Sequence, residues 1–530
     1  MMPNFNVQNK KVESLLQKAS QFTVGDILRK NARTKPDHLA VALGERQLTF
    51  AQLNQEVNRL ANSFSNLGIE RGDRVAILSE NRMEYCQVIY AAAKLGVIVP
   101  ALNWRFSEGE LKESILLTTP ETILVSAEHL GKLRALFSGL PFVKRIILLD
   151  KDEDKSRLPQ ISTHRYEDLI STGSPEEVQK EVTMEDGLII LYTSGTTGVP
   201  KGAIISHRAM IARSLFFGIT FGLAEEDGFV AWAPMFHMAS TDQMIATHAL
   251  GGKVIIMRRY DPCEMASLLE KERLGWLIMM PGAIEPLIAE LRTRPIKIKG
   301  LKAVGAMADL VPPAQISELT SILGAPYVNT FGSTETGLPP ATGSLIPMGS
   351  TTFSLSKKES SLCEIRLVDE NDNEVPVGDP GELIIRGPTL FSGYWNNPET
   401  NQKDFKDGWF HTGDVFLRNP DGSLDFVDRR KYMIKSGGEN IYPAEIERVL
   451  MSYPGVQEAV VIRIKDPQWG EVPKAYIASE KKIDQAKLAD FCRRHLARYK
   501  IPKSIKCVSL DQFPRSTTGK ILRSEVEKWA

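Results

Sequence analysis

Short apolar runs rich in branched side chains recur through the first half of the chain, each separated from the next by a segment of helical spacing. That alternation restricts the fold more than any other feature. The runs occupy residues 74–78, 145–149, 187–191, 253–257 and 301–304. Strands this short, set between helices, call for an α/β layer architecture. Ahead of the first run, Thr49 and Gln52 have the spacing of a capping box. Leu53, Val57, Leu60, Ala61, Phe64 and Leu67 then recur on one helical face, and Gly68 closes the pattern. A second amphipathic helix is expected over residues 83–95.

Beyond residue 340 the texture changes. Residues 364–369, 381–386 and 422–427 alternate or run short between Gly, Pro and Asn/Asp turns, the pattern of small antiparallel β structure. Past Asp428 a compact tail follows, with a helix expected over 443–452, a strand over 459–462 and a helix over 483–497. About a hundred residues is an ordinary small-domain size. At 530 residues the chain exceeds one ordinary core, so at least two domains are expected.

Composition excludes several classes. Sixty-five basic residues balance sixty-five acidic ones, so no global field steers the chain onto nucleic acid or an anionic membrane. The five cysteines (Cys86, Cys263, Cys363, Cys492, Cys507) show no close pair, which fits reduced thiols in a cytoplasmic protein. Eight histidines lack paired zinc-type spacing, so no His/Cys metal site is expected. The first twenty residues are polar and unlike a signal peptide, and the apolar run 277–284 is broken by Pro281 and Gly282, so no transmembrane segment is expected.

Chemistry concentrates in a few segments. Residues 187–192 run strand-like into Thr193, Ser194, Gly195, Thr196, Thr197, Gly198, Val199, Pro200 and Lys201. Polyphosphate needs convergent donors without bulky side chains in the way. Gly195 and Gly198 let backbone N–H groups turn toward an anion, four hydroxyls add donors and Lys201 adds charge. The spacing Gly-x-x-x-x-Gly-Lys-Ser/Thr cannot be fitted here, which disfavours simple P-loop kinases and GTPases. Most Ser/Thr/Gly stretches are solvated loops; the buried strand ahead and the Pro-Lys-Gly end favour phosphate. Phe331, Gly332, Thr334 and Glu335 together offer an aromatic face for adenine, a hydroxyl for phosphate and a carboxylate for Mg²⁺. Residues 408–414 form an aromatic-flanked turn ending in Asp414, a carboxylate able to accept two hydroxyls. A charge run at 428–431 leads to Gly437 and Gly438, the composition of a flexible connector. Lys520 sits in a Ser/Thr/Gly loop near the C-terminus, where a lysine is ordinarily solvent-exposed.

In chain order, segments 193–202, 234–240, 329–337, 408–414, 428–447 and 514–523 resemble the motifs of the adenylate-forming superfamily. This superfamily comprises acyl-CoA synthetases, 4-coumarate-CoA-ligase-like enzymes, firefly-type luciferases and the adenylation domains of peptide synthetases. The resemblance runs from residue 49 to Arg523. It implies that a carboxylic acid and ATP form an acyl-adenylate with release of pyrophosphate, and that coenzyme A then takes the acyl group with release of AMP. On this resemblance Lys520 is the catalytic lysine. Thr193, Ser194, Gly195, Thr196, Thr197, Gly198 and Lys201 hold phosphate, and Glu335 with Thr197 holds Mg²⁺. Phe331, Gly332, Thr334, Asp414 and Arg429 bind the nucleotide. Lys431 is the hinge, and Ser436, Gly437 and Gly438 border the pantetheine tunnel. His237 gates an acyl pocket bordered by Gly305, Ala306 and Met307. The implied fold is a large N-terminal domain of layered α/β subdomains plus a β-rich subdomain over 1–428. A small mobile α+β C-terminal domain follows over 429–530, hinged near 429–432.

Some residues depart from the family pattern. Phe331 replaces the usual Tyr, Met307 replaces the Pro of Gly-Ala-Pro, and residues 349–362 lack the Gly-x-x-Gly-Arg-Pro turn. His237 stands where amino-acid-activating domains carry an Asp for the substrate ammonium, which disfavours amino acids. The leading reading is an acid–CoA ligase acting on a medium-chain, aromatic or alicyclic acid. The alternatives are an enzyme loading a carrier-protein pantetheine and a non-catalytic nucleotide-binding protein; homo-oligomerisation stays open.

Overall fold

Parallel pairing dominates the first half of the protein, as its short apolar strands require. The computed structural model describes residues 15–530 apart from 17, 152–160, 194–199, 437–438, 480–482 and 516–518. A seven-stranded sheet runs in the order Ser162–Arg165, Arg145–Leu148, Thr122–Val125, Val75–Leu78, Val99–Ala101, Gly187–Thr193 and Lys201–Ser206. All its pairs are parallel except the last, which is antiparallel and sets Thr193 opposite Lys201. A second system joins four strands (Phe229–Ala231, Val254–Ile256, Leu39–Leu43, Arg46–Thr49) to five more through a bridge between Gly228 and Leu274. Those five are Leu274–Leu277, Leu301–Val304, Tyr327–Ser333, Gly337–Ile346 and Lys358–Glu359.

The capping box forms. Thr49 Oγ1 accepts from the Gln52 N–H at 3.3 Å, Gln52 Oε1 accepts from the Thr49 N–H at 2.9 Å, and the helix Phe50–Asn66 follows. The helix Met83–Leu95 differs from its expected amphipathic form: every residue but Glu84 is buried. It packs against the helices Val24–Thr34 and Phe50–Asn66 on one side and the strand Gly187–Thr193 on another. Lys94 and Gln87 find partners inside the protein instead of water. Lys94 Nζ donates to Asn54, Asn58 and Glu177 at 2.7, 2.6 and 2.6 Å, and Gln87 Oε1 accepts from Tyr166 Oη at 2.7 Å. Such partners offset the cost of burying polar groups.

The β-rich region is an antiparallel sheet of Glu364–Val368, Pro380–Arg386, Trp409–Arg418, Phe405–Lys406 and Leu424–Arg429, with Asp414 opposite Arg429. The polypeptide then passes through a short 3₁₀ turn, Arg430–Tyr432, into the last sheet. That sheet contains Glu439–Ile441, Ile434–Ser436, Gly470–Ala478, Glu458–Asp466 and Ile505–Val508. Helices Pro443–Met451 and Gln485–His495 cover it around a separate core that includes Ile434, Ile446, Val461 and Leu488. Among the described residues no helix is long and apolar enough to cross a membrane.

Candidate active site

Strands, the start of one helix and a loop from the small C-terminal region supply the chemistry. Lys201 opens its strand with Nζ 4.8 Å from the centre of the Tyr394 ring, a cation–π placement. Thr193 closes the preceding strand. Ser194, Gly195, Thr196, Thr197 and Gly198, the rest of the expected phosphate loop, lie outside the described residues.

The turn carrying Thr334 and Glu335 joins the strands Tyr327–Ser333 and Gly337–Ile346. It is tight enough that a Cβ at Gly332 would lie 2.1 Å from the Gly337 carbonyl oxygen, so only glycine fits. The Glu335 carbonyl accepts from the Phe391 N–H at 2.9 Å, and Glu335 Oε1 accepts from Tyr394 Oη at 2.8 Å. Among the described residues no lysine, arginine or histidine forms an ion pair with this carboxylate, which leaves a hard anionic oxygen suited to a cation such as Mg²⁺. Phe331 lies edge-on to Phe416 and tilted toward Phe426, with ring centres 4.8 and 5.2 Å away, and stays partly exposed. The expected adenine platform therefore rests on the two strands that carry Asp414 and Arg429.

Asp414 is only 2% exposed, and Arg429 Nε donates to it at 3.1 Å. Burial pushes the Asp414 carboxyl up; Arg429 opposes this and the negative charge of Glu335 adds to it. Lys520, from the far end of the chain, joins the same group. Surrounding protein and the neighbouring Arg429 pull its ammonium down to about 8, with Asp414 pulling the other way. Lys520 is nevertheless exposed. Lys520 also adds to the effect of burial in depressing His237, which is held down to about 4 and so is neutral near pH 7.

His237 is the N-cap of the helix Met238–Leu250, its Nδ1 accepting from the Ala239 N–H at 3.2 Å. In the neutral ring that bond assigns the proton to Nε2. Gly305, Ala306 and Met307 leave the end of the strand Leu301–Val304. Gly305 has φ +95°, and a Cβ there would stand 2.2 Å from the Tyr327 ring. Tyr327 Oη donates to the Ala306 carbonyl at 2.8 Å, and the Met307 N–H donates to Thr330 Oγ1 at 3.4 Å. The segment is thus pinned along the strand that leads to Glu335. The atypical stretch 349–362 supports it from behind: Lys357, fully buried, donates to Asp309 at 2.7 Å.

A family profile described as AMP-binding enzyme matches residues 28–395, and one described as AMP-binding enzyme C-terminal domain matches residues 445–520. The chain belongs to this family. A feruloyl-CoA synthase from Amycolatopsis sp is 32% identical over 505 residues, covering 94% of this chain and 97% of that one. A 2-succinylbenzoate–CoA ligase from Bacillus cereus is 30% identical over 515 residues, covering 96% and 98%. The solved o-succinylbenzoate CoA synthetase of Bacillus subtilis, in complex with its acyl-adenylate intermediate, superposes with a TM-score of 0.80 at 26% identity, covering 94% of this chain and 97% of that one. An anthranilate CoA ligase in complex with anthranoyl-AMP gives a TM-score of 0.85 at 24% identity over 96% and 97%, a likeness of fold.

In this AMP-binding enzyme the expected hinge segment is held from both sides. Arg430 donates to Glu382 at 2.6 Å, while Lys431 Nζ lies 4.7 Å from the Tyr432 ring centre. Asp428 accepts from the Ala444 N–H at 2.8 Å and pairs with Arg523 at 3.5 Å, both partners belonging to the small C-terminal region. Ser436 is buried at the end of its strand; Gly437 and Gly438 lie outside the described residues. Tyr394 and Glu382 were not expected from the sequence. The run Phe391 to Trp395 is conspicuously aromatic, but an aromatic run signals packing before it signals a hydrogen bond to a carboxylate 59 residues away.

Proposed function

We propose that this AMP-binding enzyme is an ATP-dependent acid–CoA ligase acting on an aromatic carboxylic acid. The observation that carries the reading is the convergence of Lys520 with Asp414, Arg429 and His237 from segments far apart in sequence. Chemically, a carboxylate oxygen attacks the α-phosphorus of ATP, pyrophosphate leaves, and the acyl-adenylate remains. The thiol sulfur of CoA then attacks the acyl carbon, the bond to AMP breaks, and the thiol proton passes to solvent.

Both partners of the first step are anions, so catalysis reduces to alignment and charge neutralisation. Lys520 neutralises charge between the acid and the α-phosphate. Lys201 does so at the leaving pyrophosphate, together with the loop from Thr193 to Gly198. Asp414 accepts the ribose hydroxyls beside Arg429, and Phe331 backs the base. Glu335, with Thr197, would hold Mg²⁺, which supplies Lewis-acid charge at the phosphates when bound. Neutral His237 offers a donor and no carboxylate, which suits an acid without an ammonium group. Aromatic acids are favoured over medium-chain or alicyclic ones because the relatives carrying the alignment are named for ferulate and succinylbenzoate. Five unbridged cysteines accord with a cytoplasmic setting.

A panel of carboxylic acids assayed for pyrophosphate release, with and without CoA, tests the reading. Acid-dependent release that needs CoA for turnover supports it; release relieved only by a carrier-protein pantetheine would shift it to the carrier-loading alternative.

Adenylation should also report Lys520 through pH. Because kcat/KM reflects free-enzyme ionisations, and the ammonium loses its proton as pH rises through about 8, kcat/KM should fall above that value. Lys520→Arg, charged throughout, should retain low activity with no alkaline fall. A wild-type profile level to pH 9.5 contradicts the assignment.

The thioester step requires Lys520 to withdraw and admit the thiol, so the small region, residues 429–530, turns about Lys431. Proline fixes φ and disfavours the turn conformation of the residue before it. Lys431→Pro is therefore expected to slow thioester formation from supplied acyl-AMP at least about tenfold more than adenylation. Unchanged thioester turnover would remove Lys431 from the pivot.

A further inference from the structure

Arg213 is an arginine on a helix face otherwise made of Ala209, Met210, Phe216 and Phe217, and it is 1% exposed. Its helix, His207–Phe221, follows directly from the strand that begins at Lys201. The guanidinium reaches three other segments. Nη1 donates to Asp242 Oδ2 at 3.0 Å, Nη2 donates to the carbonyls of Thr334 and Glu335 at 3.0 and 3.2 Å, and Nε donates to the Thr389 carbonyl at 2.9 Å. Asp242 is 2% exposed and lies one turn into the helix that His237 caps. Among the described residues its second oxygen, Oδ1, has no hydrogen-bond partner.

Packing does not ask for such a group. Two charges withdrawn from water are often no better for stability than apolar side chains of the same volume. What an apolar replacement lacks is the fork: a planar guanidinium fixes several acceptors at set angles, which an ammonium does not. Here the acceptors are the backbone oxygens of Thr334 and Glu335, the two residues assigned above to the nucleotide and the metal. Gly337, at the far end of the turn, has φ +74°, and a Cβ there would meet Arg213 Nε at 2.8 Å, so the turn closes directly on the guanidinium.

We propose that Arg213 and Asp242 are positioning residues for adenylation, clamping the Thr334–Glu335 backbone to the helix that begins at His237. The clamp sets the direction of the Glu335 carboxylate and ties it to the side of the site that receives the acid. It rests on the assignment of Glu335 to the metal, and its test separates the two. Groups that orient a metal-binding side chain affect metal affinity by about ten- to a hundredfold when removed.

The adenylation half-reaction is measured against Mg²⁺ concentration at saturating ATP and acid for wild type, Arg213→Lys and Glu335→Gln. Arg213→Lys keeps a charge for Asp242 but loses the fork. It should need about tenfold more Mg²⁺ for half-maximal rate, approaching wild-type kcat at high Mg²⁺. A uniform loss of rate at every Mg²⁺ level, or no change, overturns the clamp. If Glu335→Gln shifts the Mg²⁺ dependence and Arg213→Lys does not, the clamp fails and the metal assignment stands; if neither shifts, both fall. Should Arg213→Lys fold poorly, Asp242→Asn, of the same shape, is read in the same assay. An unshifted Mg²⁺ dependence there overturns the proposal equally.

Discussion

Replacing Lys520 with alanine is expected to lower acyl-adenylate formation by about a hundred- to a thousandfold, the usual loss when one preorganised charge-stabilising donor is removed. Thioester formation from supplied acyl-AMP should stay within about threefold of wild type. The asymmetry follows from position. Lys520 stands with Asp414, Arg429 and His237 in the described arrangement, which in the proposed mechanism puts it between the nucleotide and the acid. In that mechanism the same position would obstruct the thiol, so the second step is expected to proceed without it. Alanine also removes the cation that helps depress His237, so the imidazole should titrate higher in the variant. Single-turnover assays of each half-reaction read the two effects separately. Equal loss in both would remove Lys520 from its role in the first step.

Glu335→Gln is expected to reduce adenylation by about a hundredfold at physiological Mg²⁺ and to raise the Mg²⁺ requirement. The change is nearly isosteric, and the amide oxygen can still accept from Tyr394 Oη, so the turn should keep its shape. Only the charge goes. Glu335 contributes to holding the Asp414 carboxyl above its ordinary range, so the substitution should also let Asp414 ionise more readily. Pyrophosphate release titrated with Mg²⁺ decides the matter; an unaltered titration would mean that the metal sits elsewhere.

The layered fold was legible because short branched runs and capped helical faces are local signals. The Thr49–Gln52 box and the strand at residues 301–304 needed no tertiary information. The helix Met83–Leu95 misled because Gln87 and Lys94 look like a solvent face until Tyr166, Glu177 and two asparagines are folded onto them. Residue chemistry alone would have left Asp414 on the surface, whereas the antiparallel pairing of two strands buries it against Arg429. The place of Lys520 beside Asp414 and His237 was suggested only by family resemblance, since a lysine near a terminus is ordinarily solvated. Tyr394 and the Arg213–Asp242 pair were not read at all. Their partners lie 29 to 176 residues away, and nothing periodic marks them. One signal was present for Arg213, an arginine on an apolar helix face, and such residues merit a search for buried acceptors.

The most direct measurement mixes stoichiometric enzyme with ATP, Mg²⁺ and an aromatic acid such as ferulate, first without and then with CoA, and accounts for every phosphate product. The expected result is one equivalent of pyrophosphate and enzyme-held acyl-AMP before CoA, then sustained release of AMP with acyl-CoA once CoA is added. Formation of ADP and orthophosphate, or pyrophosphate release that does not depend on the acid, would contradict carboxylate activation by this protein.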